Sequence, residues 1–251
     1  MIIRLLCLFL LAVATMAGPF SANWPAGKSE KLDYDMTIYV PSEITNHVHI
    51  EITKSTGPAP AFTLVQTLDV PSQSMKVKTT EKYRAEDMKF ISSENFFKLP
   101  PEAVAQLGTD SILITAKAVK DSIEIVSSSP IIPSGTLYFP ANLTTSVGAA
   151  LTSRNSEFKT GTTRKFNMVN FISFTGQPVT VFEEGDSVLT DTTITTPAGT
   201  FKCAKVRSLG DVGAINFTYY CREKNNLPVM FEATDPSSGK PVAKLVLQKI
   251  E

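Results

Sequence analysis

The chain holds two histidines, and they stand one residue apart in Asn46-His47-Val48-His49-Ile50-Glu51. Alternate residues of a β-strand share a face, so His47, His49 and Glu51 would project from one side of a strand here. Two imidazoles and a carboxylate can hold zinc or non-haem iron. A metal-dependent enzyme built on these three residues is therefore one reading. The plainer one is a solvent-facing polar row opposite Val48 and Ile50. Any strand with alternating polar residues gives that pattern, so the expectation is no metal and no cofactor.

Nucleophilic catalysis gains no support. A Ser-His-Asp or Cys-His arrangement would need one of the same two histidines, and no Gly-x-Ser-x-Gly elbow accompanies them. Neither a Walker loop nor a Gly-x-Gly-x-x-Gly fingerprint occurs. Glu183-Glu184 stands beside Gly185-Asp186, which reads as a turn carrying solvated acids. No catalytic residue is assigned.

Cys203 and Cys221 invite a different chemistry. Residues 201–208 and 215–222 alternate like strands, and Gly210-Asp211-Val212-Gly213 between them reads as a turn. A three-residue loop, with Gly213 at positive φ, closes a hairpin in which Cys203 lies directly opposite Cys221. Facing residues of an antiparallel pair have Cα atoms about 4.5–5.5 Å apart, within disulfide range. A Cys203–Cys221 disulfide is expected, with two buried free thiols as the alternative.

A disulfide needs an oxidising compartment, and the N-terminus supplies the route. Arg4 precedes an apolar run over residues 5–14, and Thr15 and Ala17 sit at the minus-three and minus-one positions of a cleavage site. The run is shorter than the roughly 20 residues that span a bilayer. Residues 1–17 therefore read as a signal peptide, and the protein as periplasmic or secreted. Cys7 lies within the run, not after it, so no lipid anchor is expected. No later stretch is apolar and long enough for a membrane span. The whole chain balances 24 Lys and Arg against 24 Asp and Glu, which argues against nucleic acid as a partner.

The elements that would position these residues are mostly strands. After a mobile entry segment over 18–30, strand-like stretches run over 34–40, 47–53, 62–70, 76–80, 89–92, 111–116 and 122–127. Pro101 to Gly108 is the one helix candidate, with proline in its first turn and glycine past its end. A turn-rich connection over 128–156 follows, the first place to look for a segment covering a cavity. Strands then recur over 165–171, 178–184, 186–195, 200–208, 215–222, 228–233 and 242–250, joined by short Gly-, Pro-, Asn- and Asp-rich turns. That is an antiparallel meander over 157–251. Residues 31–127 form an N-terminal β region, which fits either a separate sandwich or a continuation of the same sheet over 31–251.

Thr195-Thr196-Pro197-Ala198-Gly199-Thr200-Phe201-Lys202-Cys203, then Phe217-Thr218-Tyr219-Tyr220, then Asn226-Leu227-Pro228-Val229, lead into the apolar strand at 243–247. Over about residues 178–250 this order resembles an uncharacterised family of bacterial periplasmic proteins, a domain of unknown function. The resemblance implies a curved antiparallel sheet like that of the envelope lipoprotein carriers, and a periplasmic location. It carries over no catalytic residue.

Together these features predict a mostly β protein. Its antiparallel meander would form a curved sheet or half-barrel, with one short helix. Phe96, Phe97, Phe166, Phe171, Phe174, Phe182, Phe201, Phe217 and Phe231 would largely face one side of it, as a core or as the wall of a cavity. The leading functional expectation is an exported, non-catalytic envelope protein. It would bind an apolar ligand (a lipid or acyl chain) or an envelope protein on the curved sheet. The alternatives are the metal-dependent enzyme and a purely structural interaction module.

Overall fold

The computed structural model describes residues 27–39, 43–129, 132, 134–138, 143–145, 148, 151, 156–169, 181–208 and 214–251. The expected leader over 1–17, residues 18–26, Phe171 and Phe174, and the turn at 210–213 lie outside the described residues, as does the side chain of Phe182.

Period-two alternation sets the strands. Met75 to Arg84 buries every other residue from Met75 through Tyr83 and leaves Lys76, Lys78 and Lys82 in water. That pattern gives a half-buried strand its one dry face. Among the described residues fifteen strands form: β1 (Ser29–Ile38), β2 (Ile44–Lys54), β3 (Ala61–Val70), β4 (Met75–Arg84), β5 (Phe90–Lys98), β6 (Ser111–Val119), β7 (Ser122–Ser127), β8 (Gly135–Tyr138), β9 (Leu143–Thr145), β10 (Thr163–Val169), β11 (Val181–Thr196), β12 (Gly199–Ser208), β13 (Ile215–Cys221), β14 (Leu227–Thr234) and β15 (Pro241–Ile250). The α-helix α1 (Pro101–Leu107) ends at Gly108, whose φ of 68° is left-handed and whose N–H donates to the Val104 carbonyl.

All fifteen strands belong to one sheet, in the order β8-β7-β6-β5-β4-β3-β2-β1-β15-β14-β13-β12-β11-β10-β9. The first and last strands pair antiparallel at its centre. Two meanders thus grow outward from a β1–β15 seam, one toward β8 and one toward β9. Neighbours are antiparallel except β9 and β10.

This topology forces the sheet to roll. Flat, fourteen inter-strand spacings would carry β8 about 67 Å from β9. Yet only residues 139–142 separate the two strands in sequence, and five residue steps reach at most about 18 Å. The edges must therefore approach one another. Thr145 of β9 hydrogen-bonds to Glu81 and Tyr83 on the buried face of β4. The β9 edge is tucked inside the roll.

Three expectations change here. Ser29 and Glu30, placed in the mobile entry segment, already pair with Thr53 and Ile52 of β2, because a backbone ladder is available to them. The connection over 128–156 contributes both edge strands, β8 and β9. The expected turn at Gly185-Asp186 is the interior of a 16-residue strand. β10 and β12 flank β11 there, opposing Lys165 to Gly185 and Ser208 to Asp186. Glu184 and Asp186 are consequently buried rather than solvated, and Asp186 stands opposite Arg164.

The aromatic residues divide as well. Phe97, Phe201 and Phe231 join the large core cluster that runs from Leu32 to Leu247. Phe166 joins a smaller one with Phe158, Met168, Val188, Ala204, Val206 and Tyr220. Phe96 is exposed.

Candidate functional site

The β1–β2 register brings Asp35 opposite His47 and Asp33 opposite His49. All four side chains lie on the outer face, because Leu32, Tyr34, Met36, Val48 and Ile50 occupy the buried one. Each histidine Nδ1 lies 2.6 Å from an Oδ1 of its aspartate. An ionised carboxylate only accepts, so each Nδ1–H donates and each Nε2 stays available. β3 adds Asp69 opposite His47 and Thr67 opposite His49; Lys76 lies 3.6 Å from Asp69. β15 adds Lys249 opposite Asp33. Apart from Lys76, these residues line an open groove of about 570 Å³.

The sequence placed His47, His49 and Glu51 on one face of one strand, and that is where they stand. Glu51 faces Lys31 in the register. Among the described residues no group of three or more His, Cys, Asp or Glu side chains is arranged to hold a metal ion. Asp33 and Asp35 were the missing partners. Their alternation in Leu32-Asp33-Tyr34-Asp35 is visible in the sequence, but their pairing with the histidines depends on strand register.

A second polar group lies on the buried face. Thr79, Glu81 and Tyr83 alternate along β4, with Asn95 opposite Thr79 and Ser93 opposite Glu81. Thr79 donates to Asn95 (2.9 Å) and Asn95 to Ser93 (2.8 Å). Glu81 Oε2 accepts from Tyr83 Oη at 2.7 Å and from Thr145 Oγ1 at 2.6 Å. The Gly148 N–H donates to Thr145 Oγ1 at 2.7 Å. Full burial raises the Glu81 carboxyl to about 7, against the lowering effect of these donors. Gly148 packs so closely that a Cβ there would lie 1.8 Å from Tyr83 Oη. The strand that carries Glu81 was expected to stop at residue 80, which left this acid unread.

Cys203 does face Cys221, as the hairpin register predicted, but the expected disulfide is not formed and both cysteines are free thiols. Cys203 Sγ is directed to the Phe201 carbonyl at 3.5 Å instead of bonding across the strands. Burial, and then the neighbouring Cys221, push the Cys203 thiol up to about 12, so Cys203 stays a protonated thiol at neutral pH.

Inside the roll, between Tyr34, Ile50, Thr218, Phe231 and Leu245, the free space is about 10 Å³, room for one water at most. On the outer face, by contrast, Phe96 stands directly opposite Leu113, with Val126 diagonal to Leu113 across the β6–β7 pairing. Their exposures are 39%, 39% and 61%.

Among solved structures, the chain is similar to a beta-barrel-like protein of Domain of Unknown Function DUF1849 from Brucella abortus. The TM-score is 0.53 at 12% identity, over 89% of this chain and 97% of that one. It is also similar to a candidate exported protein with a YmcC-like fold from Bacteroides fragilis, with a TM-score of 0.40 and 11% identity over 91% of this chain and 98% of that one. No protein-family model matches the chain, and no curated protein matches it. The Brucella likeness establishes a shared curved antiparallel fold, the one the resemblance at 178–250 implied.

Proposed function

We propose that the chain is an exported, non-catalytic binding protein of the cell envelope, and that its occupant is a protein partner. One observation carries the choice of occupant. The space inside the roll between Tyr34, Ile50, Thr218, Phe231 and Leu245 is about 10 Å³, too small for an acyl chain, whereas the outer face presents the apolar row of Phe96, Leu113 and Val126. Exposed apolar groups in a contiguous row are the surface feature that partners bury. The leader over residues 1–17 supports export.

An apolar ligand is the second reading, favoured by the buried group around Glu81. Thr145 and Gly148 close that group from the long connection, so an amphiphile displacing them would meet a dry wall with one polar anchor.

The test is photo-cross-linking in the native envelope from positions 96, 113 and 126, paired with native mass spectrometry of the purified protein. A defined protein adduct at these positions, absent from probes at Lys76 and Lys82, is the expected result. No adduct, together with a lipid-sized mass that leaves on denaturation, would replace the partner reading with the ligand reading.

A further inference from the structure

We propose that His47 and His49 form a two-imidazole site for a divalent transition-metal ion on the outer face, with Asp35 and Asp33 fixing the two rings. The inference is independent of the partner reading, since the groove lies on β15 and β1–β3 and not on the β5–β7 row.

Four observations converge. Residues i and i+2 of a strand lie about 6.6–6.8 Å apart and share a face, so two imidazoles there can converge on one ion at about 2.0–2.1 Å from each nitrogen. The side chains are accessible, at 75% for His47 and 43% for His49. Each ring holds its Nδ1–H against a carboxylate at 2.6 Å, which selects the tautomer with a free lone pair on Nε2. Metal-ligating histidines characteristically have a carboxylate in that position, and it raises ligand basicity as well as fixing the ring. Finally, the groove is acidic: its charged lining is Asp33, Asp35, Asp69 and Lys249, three negative against one positive, a formal −2 with both histidines neutral.

The ligand set limits which ion fits. No third His, Cys, Asp or Glu among the described residues completes it, so water fills the remaining positions. Two imidazoles with open positions favour copper(II), then nickel(II) or zinc(II), over the hard cations that need oxygen cages. Glu51, the third ligand suggested by sequence spacing, takes no part, because no group of three such side chains is arranged to hold an ion among the described residues.

The experiment is calorimetric titration of the protein with copper(II), nickel(II) and zinc(II) in a non-coordinating buffer near pH 7.5. One ion per chain is expected. His47→Ala and His49→Ala should each weaken binding at least tenfold. Asp33→Asn with Asp35→Asn should weaken it by about 10–100-fold, while Glu51→Gln should leave it unchanged. All these residues are on the outer face, and circular dichroism checks that each variant keeps its sheet. Equal affinity in the wild type and the double His→Ala variant, or no binding by the wild type, would overturn the site. Undiminished binding in the Asp→Asn pair would remove the aspartates' role, and a loss in Glu51→Gln would restore the three-ligand reading.

Discussion

The two meanders bury their sheet differently. From β2 through β7 the strands are one-sided: β4 reads buried-exposed along nearly its whole length, and β7 buries Ile123 and Ile125 between exposed neighbours. Across the seam, β14 buries Leu227, Pro228, Val229, Met230 and Phe231 in succession, and β13 buries its last four residues. β12 sends Cys203 to the large cluster and its neighbour Ala204 to the small one. A strand covered on both faces has no side left for a partner. The accessible chemistry, the His–Asp groove and the Phe96 row, lies accordingly in the one-sided half.

The difference can be tested by its energetics. Tyr220 is fully buried and stacks on Phe158, with centroids 4.5 Å apart and 14° between the planes. Tyr220→Ala should cost about 3–5 kcal/mol in urea unfolding. A loss below about 1 kcal/mol would mean that the second layer over β12 and β13 contributes little.

Glu81 places a pH term in the other half. Its folded-state pKa of about 7 lies above the ordinary glutamate value of 4.5, so the folded state binds the proton more tightly than the unfolded one. The resulting stabilisation is fully present below pH 4.5 and is lost as pH rises through 7, about 3 kcal/mol in all at 1.36 kcal/mol per unit. Urea midpoints measured from pH 4 to 8 should carry this descending contribution, and Glu81→Gln should remove it. Identical profiles for the two proteins would show that Glu81 is not buried.

Gly148→Ala should cost about 1–3 kcal/mol through overpacking against Tyr83, and Tyr83→Phe in the same chain should recover part of it. A neutral Gly148→Ala would detach the long connection from β4. The thiols sharpen the comparison without an energy scale. Alkylation without reductant should leave Cys203 and Cys221 unmodified in the folded protein and label both in denaturant, read by peptide mass. Unlabelled peptides in denaturant would mean that the pair is oxidised. The smallest effect belongs to the exposed row: Phe96→Ser and Val126→Ser should shift stability by no more than about 0.5 kcal/mol, while reducing cross-linking to the partner.

Legibility in the sequence followed the same division. Strands bounded by strong turns, such as Ser122–Ser127 and Gly199–Ser208, fall within a residue of where alternation put them. So does α1, whose proline start and glycine stop are local. The Cys203–Cys221 register came from loop length alone. The acids at Glu184 and Asp186 misled because Gly185 reads as a turn in isolation, and only β10 and β12 on either side make it a strand. Glu81 stayed hidden for a related reason: a charged residue in a Lys- and Thr-rich stretch looks solvated until β5 and Thr145 cover it.

By itself the sequence determined the strand chemistry, the short helix α1, the opposed cysteines and the shared face of His47 and His49. These depend on period-two alternation, turn residues and local composition, all properties of a few neighbouring positions. Only the tertiary structure decided that β1 and β15 join the described strands into one sheet and that the sheet rolls until β9 meets β4. It likewise decided that Asp33 and Asp35 hold the histidines. Those outcomes depend on which distant strands pair and in what register, and pairing energy is spread over backbone ladders and packed faces that no single residue records.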